Sequence, residues 1–356
     1  MIMSRYIQRH VYQGTLLTLL LLVSLGLFFI FFGELDDIGR GDYRLIHVVE
    51  YLALRVPGKV VQFMPIAVLL GTILSLGSLA SNSEIIAMQA AGYSVVHLLW
   101  AVLQAALILA LLTFLVADWV VPISESNARE IRSSAINATP ALRAKKGLWV
   151  KDENLVLYIK VLLPNGVARS IEIYQLDEKD RLISTIKAES AIPMGDKWIL
   201  KQVKQSFFSD ESVRSVEYEE MTYTGKITDR LLDVLMIEPK QMSSTDLYDY
   251  LKFLRENNLD ATAPGLTFWE KVFAPLTVLV MCLLAVPFVL GSQRQSNTGQ
   301  RLLFGILLGL GYMVADRLLI QLGSRIGISP ALNALSPTLL FFLIAVYLLN
   351  RKQSHS

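Results

Sequence analysis

Cysteine and histidine are nearly absent from this chain. Cys282 is the only cysteine among 356 residues, and the four histidines are scattered along the sequence. Disulfides within the chain are therefore excluded, and no Cys/His set has the spacing of metal ligands. Cys282 lies inside an apolar run, so we expect its thiol to be inert. We expect no metal and no cofactor bound by this chain.

Motifs that bind nucleotides or activate a nucleophile are also missing. The sequence has no G-x-x-x-x-G-K-[ST] loop, no dinucleotide glycine fingerprint and no nucleophile elbow. These absences argue against an intrinsic enzyme, and we expect no catalytic residues and no nucleic-acid partner. If the protein performs work, another chain supplies the energy.

Charge is sparse, and long stretches of the chain have none. Charged residues make up 18% of the chain, hydrophobic residues make up 53%, and the mean hydropathy is +0.46. A run of about 20 apolar residues can cross a bilayer as a helix. Six such runs occur, Gly14–Phe32, Val60–Ala80, Val95–Ala117, Val272–Gly291, Leu302–Leu322 and Ile328–Asn350. The sequence therefore predicts an α-helical membrane protein with six transmembrane helices.

A hydrophilic block separates the third run from the fourth. We expect membrane helices 1–3 in residues 1–122, an inserted domain in residues 123–265 and membrane helices 4–6 in residues 266–356. Strand-like segments such as Leu155–Ile159, Ile171–Leu176 and Trp198–Val203 predict at least six short strands. Such strands form a sandwich, a roll or a partly open barrel. Ser243 and Asp246 are expected to cap a helix behind them.

Basic residues in the short loops indicate the orientation of the chain. The loop Ser292–Arg301 has no acidic residue, and Arg351 and Lys352 follow the last run. Short loops rich in Lys and Arg favour the cytoplasmic side. We therefore expect both termini in the cytoplasm and the inserted domain on the opposite side.

Two short segments lie between the first three runs. Tyr43–Val56 has apolar residues at helical spacing and predicts an interfacial helix that Pro57 ends. Ser81–Gly92 holds a single charge, Glu84, and predicts a short helix that Gly92 ends. So apolar a helix is either covered by another protein or lies on the membrane surface.

Four stretches carry a family resemblance. They are Phe63–Gly71 (FMPIAVLLG), Ser83–Gly92 (SEIIAMQAAG), Gly147–Asp152 (GLWVKD) and Phe268–Leu276 (FWEKVFAPL). Through them, and through its layout of three helices on each side of a domain, the chain resembles the LptF/LptG permeases of bacterial lipopolysaccharide export. The G-type branch is the more similar. The resemblance covers nearly the whole chain and implies an inner-membrane protein with a periplasmic β-jellyroll-like domain.

The resemblance also implies partners and a function. It implies a heterodimer with the F-type permease (LptF), a dimeric cytoplasmic ATPase (LptB) that binds ATP and Mg²⁺, and a single-helix C-type subunit (LptC). This ABC transporter would extract lipopolysaccharide from the outer leaflet of the inner membrane and pass it to a bridge towards the outer membrane. The alternative is an envelope scaffold or sensor whose outer domain binds a ligand and whose 81–92 helix docks a signalling partner.

The resemblance assigns the 82–92 segment to a coupling helix. Glu84 would dock in a groove of the ATPase, Ile85 and Met88 would supply the apolar contact, and Gly92 would supply the turn. The alternative for Glu84 is a carboxylate that the helix dipole favours at a helix start.

Several basic residues are candidates for the phosphates of lipopolysaccharide. Arg132 matches a family arginine at the mouth of the transport cavity, and Arg129 lies three residues away on the same helix face. A guanidinium can hold a phosphate through two hydrogen bonds. The alternative is a solvated helix in which these arginines pair with Glu125 or Glu130.

One departure from the family concerns the end of the first helix. Asp36 and Asp37 stand where G-type permeases often have a basic pair. Phosphate would then be bound by Arg40, Arg44 or Lys59, or through a bridging divalent cation.

The remaining candidates are expected to line the acyl-chain cavity, and they are Phe28, Phe32, Phe63, Met64, Asp316 and Arg317. Packing against lipid is the alternative for the apolar four. Ionisable groups inside a membrane usually face a cavity or a partner, and structural pairing is the alternative for Asp316 and Arg317.

Overall fold

The computed structural model describes residues 2–136, 148–152, 155–162, 168–177, 181–194, 197–209, 212–224, 239, 242–256, 260–290 and 298–353. The helices within these ranges are α1 Ile2–Leu35, α2 Leu45–Ser81, α3 Glu84–Ala90, α4 Val95–Leu115, α5 Val121–Ala135, α6 Ser244–Glu256, α7 Thr262–Leu290, α8 Thr298–Ile326 and α9 Pro330–Gln353. A π-helical turn, Val116–Val120, joins α4 to α5. The strands are β1 Leu148–Asp152, β2 Leu155–Leu162, β3 Ala168–Leu176, β4 Leu182–Met194, β5 Lys197–Ser209 and β6 Ser212–Thr224.

Within the part of the chain that the structure describes, six helical segments are long and apolar enough to cross a membrane. They are α1, α2, the α4–α5 segment Val95–Ala135, α7, α8 and α9. The predicted fold class, a membrane helical protein with an inserted β domain, is thus confirmed. Of the Gly147–Asp152 stretch, Gly147 lies outside the described residues and the others form β1.

One predicted boundary is wrong. Pro57 is predicted to end the interfacial helix, but α2 continues without a break through Pro57 and Pro65. A proline inside a helix removes one backbone hydrogen bond, which disfavours the helix locally. Contacts on both sides of Pro57 offset this cost, because Arg55 pairs with Glu125 of α5 and Gly58 lies against the same carboxylate.

The chain divides into two compact units. One contains the membrane helices and comprises Met1–Ile38, Val48–Ala128 and Gly265–Ser356. The other comprises Gly39–His47 and Arg129–Pro264, which includes the strands. The loop after α1 therefore belongs to the β unit, which its sequence did not indicate.

In the membrane unit, α1 and α2 cross with their backbones in contact. A Cβ atom on Gly14 would lie 2.5 Å from the carbonyl oxygen of Gly71, and a Cβ on Gly71 would lie 2.6 Å from the carbonyl carbon of Gly14. Two hydrogen bonds flank this crossing: Ser75 Oγ donates to the His10 carbonyl at 2.6 Å, and Thr18 Oγ1 donates to the Ala67 carbonyl at 2.9 Å. Small residues and such bonds are what hold helices together in lipid.

The second helix is the centre of the membrane unit. Of the residues in its most apolar stretch, 67% are buried, against 11% in the corresponding stretches of α1 and α8. Its other side receives α8 at two further glycines, since Cβ atoms on Gly305 and Gly309 would lie 2.7 Å from Leu70 and 2.9 Å from Ile66. Helix α2 therefore packs closely against both α1 and α8.

In the β unit, the six strands among the described residues form one antiparallel sheet in sequence order, β1-β2-β3-β4-β5-β6. The buried side chains on one face include Leu157, Ile159, Ile171, Ile173, Ile186, Leu200 and Val203, and Phe253 of α6 packs against them. The predicted cap of α6 is confirmed, because Ser243 Oγ accepts a hydrogen bond from the Asp246 backbone N–H at 3.1 Å. Helix α6 therefore covers part of the apolar face.

Ladder pairing is interrupted at one level across the sheet. Lys160, Ser170, Glu189, Gln202 and Glu219 form this row, which we call the kinked row; the pairs on either side of it keep one register. Ser170 and Gln202 have positive φ angles of 53° and 51°. Buried residues are three apart across the row instead of two, as in Ala168 and Ile171, Ala188 and Ala191, and Leu200 and Val203. The apolar face therefore stays continuous although the strict alternation breaks.

Charged residues pair across strands of the sheet. Lys187 Nζ lies 3.1 Å from Glu172, and Lys204 Nζ lies 3.1 Å from Glu217. The Tyr174 hydroxyl also donates to Glu172, and this bond raises the pKa of Tyr174 to about 12 and lowers the pKa of the Glu172 carboxyl. These pairs help to fix the register of neighbouring strands.

The α1–α2 crossing gives a testable consequence. We expect Gly71→Ala to lower the free energy of unfolding by about 1–3 kcal/mol, because the added methyl group overlaps backbone atoms that cannot rotate away. Gly311→Ala is the matched control, since a Cβ there meets nothing within 4 Å. Denaturant titration of the full-length protein in detergent measures both. Equal stability of the two variants would contradict the close approach.

Candidate functional site

The coupling segment is a two-turn helix with one face turned inward. Glu84 begins α3 and is half-buried. Ser83 precedes it with a positive φ of 60° and makes no side-chain cap. Gly92 has a φ of 88° and donates its N–H to the Gln89 carbonyl at 2.9 Å, so it ends the helix in a tight turn. The backbone turn expected at Gly92 is present.

The apolar residues of α3 face in two directions. Ile85 and Met88 are only 1% and 9% exposed and belong to the membrane unit's core, beside Ile7 and Leu79. Neither has surface to offer a partner in this conformation, which differs from the contact expected of them. Ile86 is 49% exposed on the opposite side of the helix. A short helix must bury one face, and the sequence does not say which apolar residue faces outward.

The start of α1 contacts the coupling segment through polar side chains. The Tyr6 hydroxyl donates to Glu84 Oε2 at 2.8 Å. Ser4 Oγ and the Tyr93 hydroxyl lie 3.1 Å apart, and the Tyr93 hydroxyl also donates to the His97 carbonyl at 3.1 Å. Sequence reasoning missed the Tyr6–Glu84 and Ser4–Tyr93 contacts, because they join residues 78 and 89 positions apart.

Four candidate phosphate ligands lie in the β unit. Arg129 and Arg132 are half-buried in α5, whereas Arg40 and Arg44 are exposed in the loop before α2. The structure packs this loop on the end of α5. The backbone N–H of Asp42 donates to the carbonyl of Ala135 at 2.7 Å, and a Cβ on Gly41 would lie 2.8 Å from the carbonyl of Ile136. Two sequence-distant pairs of arginines thus sit on adjoining segments.

The fifth candidate, Lys59, lies in the membrane unit on α2. Its Nζ donates to Gln62 Oε1 at 2.8 Å and stands 5.9 Å from the centre of the Phe63 ring. One turn earlier, Arg55 forms an ion pair with the buried Glu125. Glu125 is therefore the partner of Arg55, which the sequence did not suggest.

The apolar candidates differ in exposure. Phe28 and Phe32 are 54% and 52% exposed on α1, with ring centres 4.6 Å apart. Phe63 is half-buried and fills the space beside Gly26, where a Cβ would lie 2.6 Å from its ring. Met64 is buried in the core of the membrane unit. Met64 therefore has little surface for an acyl chain in this conformation.

Asp316 and Arg317 are adjacent on α8 but differ in environment. Asp316 is half-buried, and Tyr312, one turn earlier, interacts with its carboxylate. Arg317 is exposed. The hydroxyls of Thr277 on α7 and Thr338 on α9 form a hydrogen bond of 2.8 Å. Tyr312 also interacts with Thr277. Asp316 thus belongs to a polar cluster inside the helix bundle.

Among the described residues, no three or more His, Cys, Asp or Glu side chains come close enough together to hold a metal ion. The Cys282 thiol is fully buried between Thr72 and Val102, and its Sγ lies 3.4 Å from the Thr72 hydroxyl.

Known proteins are similar to this chain over 99% of its length. Lipopolysaccharide export system permease protein LptG of Haemophilus influenzae is 33% identical over 353 residues, which is 99% of each chain. Lipopolysaccharide export system permease protein LptG of Escherichia coli K12 is 34% identical over 354 residues, 99% of this chain and 98% of the relative.

The family described as lipopolysaccharide export system permease LptF/LptG matches residues 5–351. This range includes every candidate site residue and both units of the structure. It agrees with the four stretches in which the sequence resembles that family. The chain belongs to the LptF/LptG family of lipopolysaccharide export permeases.

Proposed function

We propose that this chain is a permease subunit of an ATP-driven transporter that extracts lipopolysaccharide from the outer leaflet of the inner membrane. The observation that carries the proposal is the full-length match to permeases of this export system. It favours transport over the scaffold or sensor alternative. The proposed partners are an F-type permease, a cytoplasmic ATPase dimer and a single-helix C-type subunit.

A physical argument supports a protein path for the acyl chains. Transfer of one methylene to water costs about 0.8 kcal/mol, so four chains of about a dozen carbons would cost about 40 kcal/mol. No single conformational step of a protein supplies so much. The chains must therefore remain against apolar surface. The exposed Phe28 and Phe32 of α1 are apolar surface of this kind.

The energy for extraction would enter through α3. Helix α3 has an acidic residue in its first turn and an exposed isoleucine, Ile86, while Ile85 and Met88 anchor it in the core. A docked ATPase would contact Glu84 and Ile86. Motion of the docked protein would then be transmitted through Ile85 and Met88 to the membrane helices. This assigns the apolar docking contact to Ile86.

The proposed orientation places α3 in the cytoplasm and the sheet in the periplasm. We expect Val213→Cys, exposed on β6, to react with an impermeant maleimide in spheroplasts, and Asn82→Cys, before α3, to react only after permeabilisation. Cys282 is fully buried, so the native thiol gives little background. Labelling of Asn82→Cys but not Val213→Cys in intact spheroplasts would overturn this orientation.

The coupling role of Glu84 is tested by charge reversal. We expect Glu84→Arg to weaken association with the ATPase at least about tenfold and to reduce transport, because a cation replaces the carboxylate that the groove would bind. Glu219→Arg, exposed on β6, makes the same charge change in the β unit and is the control. Co-purification and a reconstituted transport assay measure the two effects. Normal association of Glu84→Arg would refute the coupling role.

The head-group role of Arg132 is tested in the same way. We expect Arg132→Glu to reduce photocrosslinking of lipopolysaccharide at least about tenfold, because a bidentate bond to phosphate is replaced by repulsion. Arg255→Glu, exposed at the end of α6 in the same unit, is the control. Undiminished crosslinking in Arg132→Glu would remove this residue from the site.

A further inference from the structure

We propose that Tyr6 is a positioning residue that holds the Glu84 carboxylate ready for a cation of the partner ATPase and so ties α1 to the coupling segment. The inference rests on the proposed function. Its basis is one contact that joins the start of α1 to the start of α3: the Tyr6 hydroxyl donates to Glu84 Oε2 at 2.8 Å.

The second oxygen of Glu84 remains for an external donor. In the part of the chain that the structure describes, the Tyr6 hydroxyl is the hydrogen-bond partner of this carboxylate, and it occupies Oε2 alone. A carboxylate can accept several hydrogen bonds on its two oxygens. A guanidinium or ammonium group of a docked protein can therefore bind Oε1 while Tyr6 holds Oε2. The two contacts are compatible.

The Tyr6 ring is itself held in place. It lies 4.3 Å from the His10 ring, and His10 Nδ1 lies 3.0 Å from the Tyr6 carbonyl oxygen. Ile7, the next residue, is fully buried in the same core as Ile85 of α3. Tyr6 itself is 39% exposed, so its hydroxyl is not needed to fill the core. The bond to Glu84 is thus its specific contribution.

Other polar contacts keep this end of α1 against the coupling segment and α4. Ser4 Oγ lies 3.1 Å from the Tyr93 hydroxyl, and Gln8 Nε2 donates to Gln104 Oε1 at 2.9 Å. Together with the Tyr6–Glu84 bond, they connect the first turns of α1 to α3, α4 and the turn between them. A displacement of α3 by a docked partner would then be passed to α1.

Fixing the Glu84 side chain before docking has a measurable consequence. A partner that binds a free carboxylate side chain must also immobilise it, which weakens binding by about threefold to tenfold. Tyr6→Phe keeps the ring and removes only the hydroxyl. We expect it to raise the Kd of the ATPase for the permease by about threefold to tenfold.

A double-mutant cycle on the full complex in nanodiscs tests the proposal. The variants are Tyr6→Phe, Glu84→Ala and the two combined. Tyr12→Phe is the matched control, since it removes another tyrosine hydroxyl of α1, one that makes no hydrogen bond within the described residues. We expect Tyr6→Phe to have no further effect on the Kd once Glu84 is alanine, whereas a general loss of stability would act in both backgrounds.

The remaining outcomes separate this inference from the proposed function. If Glu84→Ala raises the Kd of the ATPase but Tyr6→Phe does not, the positioning role is refuted and coupling through Glu84 stands. The same holds if the effects of the two substitutions on the Kd add. The positioning role is likewise refuted if Tyr12→Phe weakens binding as much as Tyr6→Phe. If Glu84→Ala leaves the Kd unchanged, the coupling function fails and the role of Tyr6 fails with it.

Discussion

The backbone contact between α1 and α2 at Gly14 and Gly71 is the constraint on which the membrane unit depends. Lipid offers no hydrophobic force between helices, so close packing and hydrogen bonds must hold them. The crossing supplies both, since Ser75 and Thr18 donate to carbonyls of the facing helix. It fixes where α1 runs over α2. It thereby sets the position of Tyr6 on one side of the crossing and of Phe28 and Phe32 on the other.

The order of membrane helices and strands could be predicted from the sequence, because a local pattern marks each of these elements. An uncharged run of membrane length predicts a spanning helix whatever its neighbours are, and alternating residues predict strands. Two features depend on tertiary contacts and could not be predicted from the sequence. Pro57 is carried within α2 because Arg55 and Gly58 contact Glu125. The kinked row breaks the period of two on which any strand prediction rests, so strict alternation would assign Ala168 and Leu200 to the wrong face.

In the candidate site, too, the sequence indicated some features, whereas others depend on tertiary contacts. Residue types and family stretches drew attention to Glu84, Gly92 and the arginines, whose roles stay predictions. The sequence did not distinguish Ile85 and Met88, which face inward, from Ile86, which faces out, because all three are apolar and lie within one turn of each other. Partners were equally hidden. The Arg55–Glu125 pair and the Tyr6–Glu84 bond join residues 70 and 78 positions apart, and no local pattern marks them.

The kinked row limits how the sheet can assemble. In a regular sheet, a strand that slides by two residues keeps its inward and outward pattern, so the alternation by itself does not oppose such a slide. Here such a slide would move Ser170 or Gln202 away from the level at which the adjacent strands also break their alternation. The residues between the two displaced breaks would then be out of phase with those of the neighbouring strand. The kinked row therefore favours a single register, which protects long strands from mispairing before the sheet is complete.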